Sequence, residues 1–184
     1  MAHSENRTKL LAVLSDVFRS RGYEGATLAE LARAAGLGKA SLYHHFPGGK
    51  AEMAAVLLRQ AVARLHKSAF SRLGKSAPAT IRLQQFVDGF SAYAEHGESQ
   101  CLVAILAQGS AREVHGDSIA RQFQDWTVAL TSVFEETGQK PRRAQRSAAD
   151  LLARLYGDLL TAQLLNDPKH FRRGIKRIKK GLPA

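Results

Sequence analysis

Residues 27–46 read Thr27-Leu28-Ala29-Glu30-Leu31-Ala32-Arg33-Ala34-Ala35-Gly36-Leu37-Gly38-Lys39-Ala40-Ser41-Leu42-Tyr43-His44-His45-Phe46, and this stretch decides the fold. Its first four residues have the form of a capping box. Thr27 can accept from an orphan backbone N–H while Glu30 reaches back. The helix they open is short, because Gly36 stands where a left-handed stop is expected about two turns later. A further helix fits Lys39 to about His45, and Pro47-Gly48-Gly49 punctuates its end. Two short helices joined by a tight Gly-containing turn make a helix-turn-helix. Leu28, Leu31, Ala32, Ala35, Leu37 and Leu42 supply the apolar contacts that set the crossing angle. The outward face of the second helix would show Lys39, Ala40, Ser41, Tyr43 and His44. Small residues there allow close approach, and the polar ones are donors suited to base edges and phosphates.

Outward from this stretch the periodicity stays helical. Upstream, Leu10, Leu14, Val17 and Phe18 form one apolar stripe, with Gly22 as its expected stop. Downstream, Met53, Val56, Leu57, Val62 and Leu65 keep helical spacing from about Lys50 to Lys67, and Leu73 to Pro78 reads as a loop. A fifth helix carries Ile81, Phe86, Val87, Phe90 and Tyr93 and is expected to run to Gly97. After a short apolar segment from Cys101 to Ala107, a long helix is expected from about Ser118 to Thr137. Gly138 and Pro141 separate it from the next, over about 142–166. Asp167-Pro168 then pairs an N-cap with proline at the first helical position and opens a last helix. No period-2 run is bounded by turn signals. The expectation is an all-α protein of about nine helices. A three-helix domain with the helix-turn-helix covers about 1–48, and a helical regulatory domain covers 49–184.

Composition narrows the function. The formal net charge is +11, which points to nucleic acid or an anionic surface. The charge is uneven: residues 1–50 carry 7 Lys/Arg against 4 Asp/Glu, 51–137 carry 8 against 9, and 138–184 carry 12 against 3. Most of the positive charge therefore lies in the tail, where Phe171, Ile175, Ile178 and Leu182 alternate with Arg172, Arg173, Lys176, Arg177, Lys179 and Lys180. That is an amphipathic helix with either a solvated basic face or a second, non-specific contact to DNA or membrane. Cys101 is the single cysteine, so no disulfide framework exists; it reads as a small buried hydrophobe or a sensing thiol. The opening Met1 to Arg7 is polar, and no apolar run approaches a membrane span. A cytoplasmic protein is expected. No His/Cys metal spacing, phosphate-cradling loop or hydrolase elbow appears. Neither catalysis nor a cofactor is expected.

Gly36-Leu37-Gly38-Lys39-Ala40-Ser41-Leu42-Tyr43-His44-His45-Phe46 resembles the helix-turn-helix signature of TetR-family regulators. Gly22-Tyr23, Gly25-Ala26-Thr27-Leu28, Leu31 and Ala32 match the family's upstream elements, and Pro47-Gly48-Gly49-Lys50 matches a common form of the junction that follows. The resemblance covers about residues 7–65. Cys101-Leu102, Trp126 and Asn166-Asp167-Pro168 further resemble a subgroup of efflux-linked repressors responsive to multidrug or flavonoid-type ligands. One departure is Gly38, where Ser or Thr often caps the recognition helix. Glycine caps almost as well, but it removes one hydroxyl from the phosphate contacts.

Residue type and the family's positions together imply roles at the DNA. Thr27 caps its helix and either touches a phosphate as well or is a cap alone. Lys39, Ser41 and Tyr43, beside the small Gly38 and Ala40, face the major groove, Lys39 suiting guanine and Tyr43 a thymine methyl or phosphate. His44 reaches a phosphate or is an ordinary surface imidazole, and Lys50 pairs with phosphate or is simply exposed. The partner implied is a palindromic double-stranded operator read by a homodimer. The resemblance places the last two helices in a four-helix bundle with their mates, and the run Leu151, Leu152, Leu155, Leu159, Leu160, Leu164 is richer than one core face needs. The regulatory domain is expected to hold a small inducer, largely apolar or aromatic, among Phe86, Phe90, Gln108, Phe123, Trp126, Tyr156 and Gln163, with the fourth helix as the lever. The alternative is a filled core with no pocket. The resemblance favours a repressor. The competing class is a basic helical protein that binds nucleic acid or membrane surfaces without sequence preference.

Overall fold

A computed structural model describes residues 2–74 and 77–183, with side chains from Glu5 onward. Met1 of the polar opening, and Lys75 and Ser76 of the expected loop, lie outside the described residues. Nine α-helices and no strand occur among the described residues, as the periodicity predicts. Packing divides the chain into two compact units.

The first unit runs up to Val62 and takes in Cys101–Ile119. It contains α1 (Ala2–Gly25), α2 (Leu28–Ala35), α3 (Lys39–His45), most of α4 (Gly49–Ser68), α6 (Leu102–Leu106) and the start of α7 (Ala111–Glu136). Its core holds Leu11, Leu14, Phe18, Leu31, Leu42, Phe46, Met53 and Leu57, all buried. Gly22 breaks α1 with φ 68° and ψ −179°, a conformation for glycine alone, and one more turn follows. Thr27 caps α2 by accepting the Glu30 N–H at 3.2 Å. The expected reciprocal bond is not made: the Thr27 N–H goes to the Gly25 carbonyl at 2.9 Å, which leaves Glu30 free to bind Arg33 at 2.7 Å. Gly36 closes α2 at φ 64°. The Leu37 N–H returns to the Ala32 carbonyl and that of Gly36 to Arg33, the paired bonds of a Schellman stop.

The second unit comprises Ala63–Gln100 and the chain from Ala120. It holds the end of α4, a 3₁₀ turn at Phe70–Leu73, α5 (Ala79–Tyr93), a second 3₁₀ turn at Glu95–Gly97, the rest of α7, α8 (Pro141–Leu164) and α9 (Pro168–Lys180). Leu83, Phe86, Val87, Phe90, Leu130, Phe134, Leu155, Leu159 and Phe171 are buried at its centre. Gly89 lets α5 meet the end of α4 backbone to backbone, and the Ser68 hydroxyl donates to the Gly89 carbonyl at 2.6 Å. Arg82, 2% exposed, donates to the Leu73 carbonyl at 2.8 Å and pairs with Glu136. Asp167 caps α9 on the Lys169 N–H, with Pro168 at the first position, as the sequence predicts.

Three expectations need correction. Helix α5 stops at Tyr93 rather than Gly97, because Glu95 and His96 take positive φ (48° and 56°) in the turn that follows; Ile81, expected on its apolar face, is 41% exposed. Leu73, expected to open a loop, instead ends a 3₁₀ turn that buries Phe70 and Leu73. Helix α7 starts at Ala111, seven residues before Ser118. Its first turns are polar and contain Gly116, and their cap comes from far away in sequence. The Glu24 carboxylate, at the end of α1, accepts the Ser110 N–H at 2.7 Å and its hydroxyl at 2.9 Å. These bonds hold the Glu24 carboxyl below its ordinary pKa, the backbone N–H contributing most. A Cβ on Gly109 would lie 2.3 Å from that carboxylate. In the tail, Phe171, Gly174, Ile175 and Ile178 are buried. The apolar seam of α9 is therefore docked, and Arg173, Arg177 and Lys179 meet Asp167, Asp158 and Asp88.

Candidate nucleic-acid interface

Helix α3 is held from below and left open above. Leu42 is fully buried, and Phe46, also fully buried, lies under the Arg7 guanidinium at 5.5 Å. This anchors the middle and the C-terminal end of a seven-residue helix that could not stand alone. Gly38 caps it at φ −72° and ψ 154° with no side-chain bond. Gly38, Lys39, Ala40, Ser41, Tyr43 and His44 are all exposed, so the structure brings the expected reading residues onto one helix and its cap. The Tyr43 ring lies beside Gly49, where a Cβ would sit 3.4 Å from Cε1. Tyr43 is thus braced at one edge while 45% exposed.

The flanking residues differ. Thr27 is exposed, and its oxygen accepts the cap bond, so its hydroxyl hydrogen remains available as a donor. Lys50 is half-buried: its Nζ donates to the Tyr23 carbonyl at 2.9 Å and sits 4.3 Å from the Tyr23 ring centre. Burial pushes the Tyr23 phenol pKa up. The sequence reading overlooked Glu52, whose carboxylate accepts the Gly48 N–H at 2.8 Å at the start of α4. A Glu in the first helical turn is the available signal. Near α3, the Arg33 guanidinium holds Glu30 below the usual carboxylate range.

The residues expected around a ligand separate into two groups. In the second unit, aromatic rings form a continuous chain: Phe90 to Tyr156 at 5.2 Å, Tyr156 to Phe123 at 5.6 Å, Phe123 to Trp126 at 5.7 Å, Trp126 to Phe70 at 5.0 Å, and Phe70 to Phe86 at 4.9 Å. Phe70 was missed because it falls between the fourth helix, expected to end at about Lys67, and the loop expected from Leu73. The Trp126 indole N–H is buried with no hydrogen-bond partner among the described residues. The Gln163 amide donates to the Ser99 carbonyl at 3.4 Å. Gln108 belongs to the first unit, is exposed, and donates to the Ala104 carbonyl of its own helix segment. Among the described residues no group of three or more His, Cys, Asp or Glu could hold a metal.

A two-helix reading head with an exposed polar face, carried on a helical body, defines a helix-turn-helix DNA-binding protein. Residues 10–57 match the family model for bacterial regulatory proteins of the tetR family. The chain is 31% identical over 158 residues to the HTH-type transcriptional activator FasR of Mycolicibacterium smegmatis, covering 83% of this chain and 70% of that protein. It is 23% identical over 164 residues to the HTH-type transcriptional regulator LmrA of Bacillus subtilis, covering 87% of each. Its fold matches the crystal structure of a TetR-family regulator from Agrobacterium tumefaciens with a TM-score of 0.82, at 19% identity and over 98% and 99% of the two chains. The chain belongs to the TetR family and is a DNA-binding transcriptional regulator. No helix among the described residues is long and apolar enough to cross a membrane.

Proposed function

We propose that this regulator is a repressor that reads a twofold operator in the cytoplasm as a homodimer and releases it when a small, largely apolar aromatic ligand binds the second unit. The observation that carries the DNA reading is the face of α3. Lys39, Ala40, Ser41 and Tyr43 enter the major groove, where Lys39 donates to guanine and Tyr43 meets a thymine methyl or a phosphate. Thr27, His44 and the remaining Lys50 donors reach the phosphates on either side, and Gly38 admits close approach. Dimer formation is supported by Leu160, Leu164 and Leu165 at the end of α8, which are 54%, 78% and 60% exposed, whereas Leu151, Leu152, Leu155 and Leu159 are buried. A second copy covers those three leucines and sets the two α3 helices about 34–36 Å apart, one turn of DNA. Selecting bound fragments from a random DNA pool tests this: inverted half-sites support it, and enrichment without a motif refutes it.

The ligand reading rests on the orphaned Trp126 N–H within the chain of rings. A buried donor without a partner costs free energy that a bound acceptor recovers. Phe123 and Tyr156 are half-buried and form the side from which a planar molecule enters, by displacing a ring edge. The ligand therefore carries an acceptor for Trp126. Quinoline and naphthalene have nearly the same shape, and only quinoline has an acceptor nitrogen. Tighter quinoline binding, followed by the fluorescence of Trp126, supports the assignment. Equal affinities, or no response to either, refute it. Operator release by the bound compound tests the switch, and transcription from an operator-controlled reporter, rising when the protein is removed, distinguishes repression from activation.

A further inference from the structure

We propose that the second unit holds another ligand site, in a cleft between the start of α8 and the end of α9, and that it takes an amphipathic organic anion. The cleft measures about 660 Å³, within the range typical of small-molecule sites. Its floor is apolar, formed by the buried Phe134, Leu151 and Ile178. Lys140, Arg143 and Arg154 stand at its rim, exposed and without an ion pair or side-chain hydrogen bond to any described residue. Nearby cations behave differently: Arg173, Arg177 and Lys179 each meet a carboxylate. One acid, Asp150, also lines the cleft, so three positive groups face one negative.

The arrangement specifies the ligand's shape. Arg143 and Arg154 are eleven residues apart on one helix, which places them about 16 Å apart along its axis. The cleft is therefore elongated, with Lys140 and Arg143 together at one end and the apolar floor beyond them. An anionic head, carboxylate or phosphate, sits between Lys140 and Arg143 in charge-assisted hydrogen bonds. An unbranched apolar tail lies along Leu151, Phe134 and Ile178 toward Arg154. This ligand differs in chemistry and in lining residues from the aromatic one, and its site stands whether or not that reading holds.

Calorimetric titration of the full chain with decanoate, decyl phosphate and decanol, each below its aggregation limit, tests the site. Saturable one-to-one binding of either anion, with decanol at least about tenfold weaker, is the expected result; the stronger of the two anions identifies the head group. Arg143→Ala and Lys140→Ala should each weaken the anion about tenfold. Arg146→Ala, on α8 but outside the lining, should change nothing. Circular dichroism melts verify that each variant is folded. Decanol binding as tightly as decanoate, binding unaffected by Arg143→Ala and Lys140→Ala, or no binding at all overturns the proposal. So does competition between decanoate and quinoline with a shared response of Trp126, because it would place the anion among the aromatic rings.

Discussion

Replacing Gly89 by alanine puts a methyl group where backbone already stands. A Cβ there would lie 2.0 Å from the Ser68 carbonyl oxygen and 2.8 Å from the Ala69 Cα. Carbon and oxygen approach no closer than about 3.3 Å in close helix contacts, so the end of α4 must retreat from α5 by about 1.3 Å. No side-chain rotation can relieve the clash, because both obstructing atoms are main chain. The retreat stretches the 2.6 Å bond from the Ser68 hydroxyl to the Gly89 carbonyl and loosens Phe70 from Phe86, now 4.9 Å apart. Overpacking costs about 1–3 kcal/mol, and the weakened hydrogen bond about 0.5–1.5 kcal/mol. Alanine's better helix propensity offsets about 0.8–1 kcal/mol of this. The net is a destabilisation of about 2 kcal/mol, equivalent to about 4–8 °C in Tm for a chain of this length. Thermal unfolding followed by circular dichroism reads it. Ser68→Ala, which removes the hydroxyl and leaves the space, should lose about half as much. A Gly89→Ala protein that melts at or above the parent temperature would refute the close-approach argument.

Tyr43→Ala should weaken operator binding by about 1–3 kcal/mol without moving Tm, because the side chain is 45% exposed; quantitative footprinting that finds no loss would remove Tyr43 from the reading face. Leu164→Glu should yield monomers in analytical ultracentrifugation with the helical signal intact, since Leu164 is 78% exposed within one chain. His115 is buried in the first unit, and that burial lowers its pKa below the ordinary 6.5. Its neutral form therefore contributes stability above about pH 6.5 that is lost as pH falls through the depressed folded value. His115→Leu should flatten the pH dependence of the urea midpoint between pH 7.5 and 5.5, and an unchanged slope would show that other groups set it.

The helix-turn-helix could be read because every local signal there agrees. Thr27, Gly36 and Pro47 mark its boundaries by backbone chemistry that acts within a few residues, and Leu31 and Leu42 mark its buried side. The ends of α5 and α7 could not be read for the opposite reason. Positive φ at Glu95 and His96 follows from how that turn packs, since neither residue announces it. Phe70 was assigned to no element because a 3₁₀ turn has no apolar period long enough to detect. At the site, exposed residues of α3 were legible from the spacing of one anchor, Leu42. What Lys50 touches was not, because its partner is the carbonyl of Tyr23, a group that every residue carries. Gln108 was grouped with the aromatic residues on helical spacing alone, and spacing does not say which of two units a segment joins.

The carboxylate of Glu24 at the head of α7 ties two stretches 86 residues apart. The first turns of that helix are polar and contain Gly116, so their own sequence gives them little reason to stay wound. Their persistence depends on α1 reaching its last turn. Amide exchange along α7 should then fall into two regimes. The amides just after Ser110 open when α1 frays, while those beyond Ile119 open with the unit that buries Trp126 and Leu130. A single rigid rod would thus report two separate equilibria, and the point along it where the rates change would mark how far the influence of α1 extends.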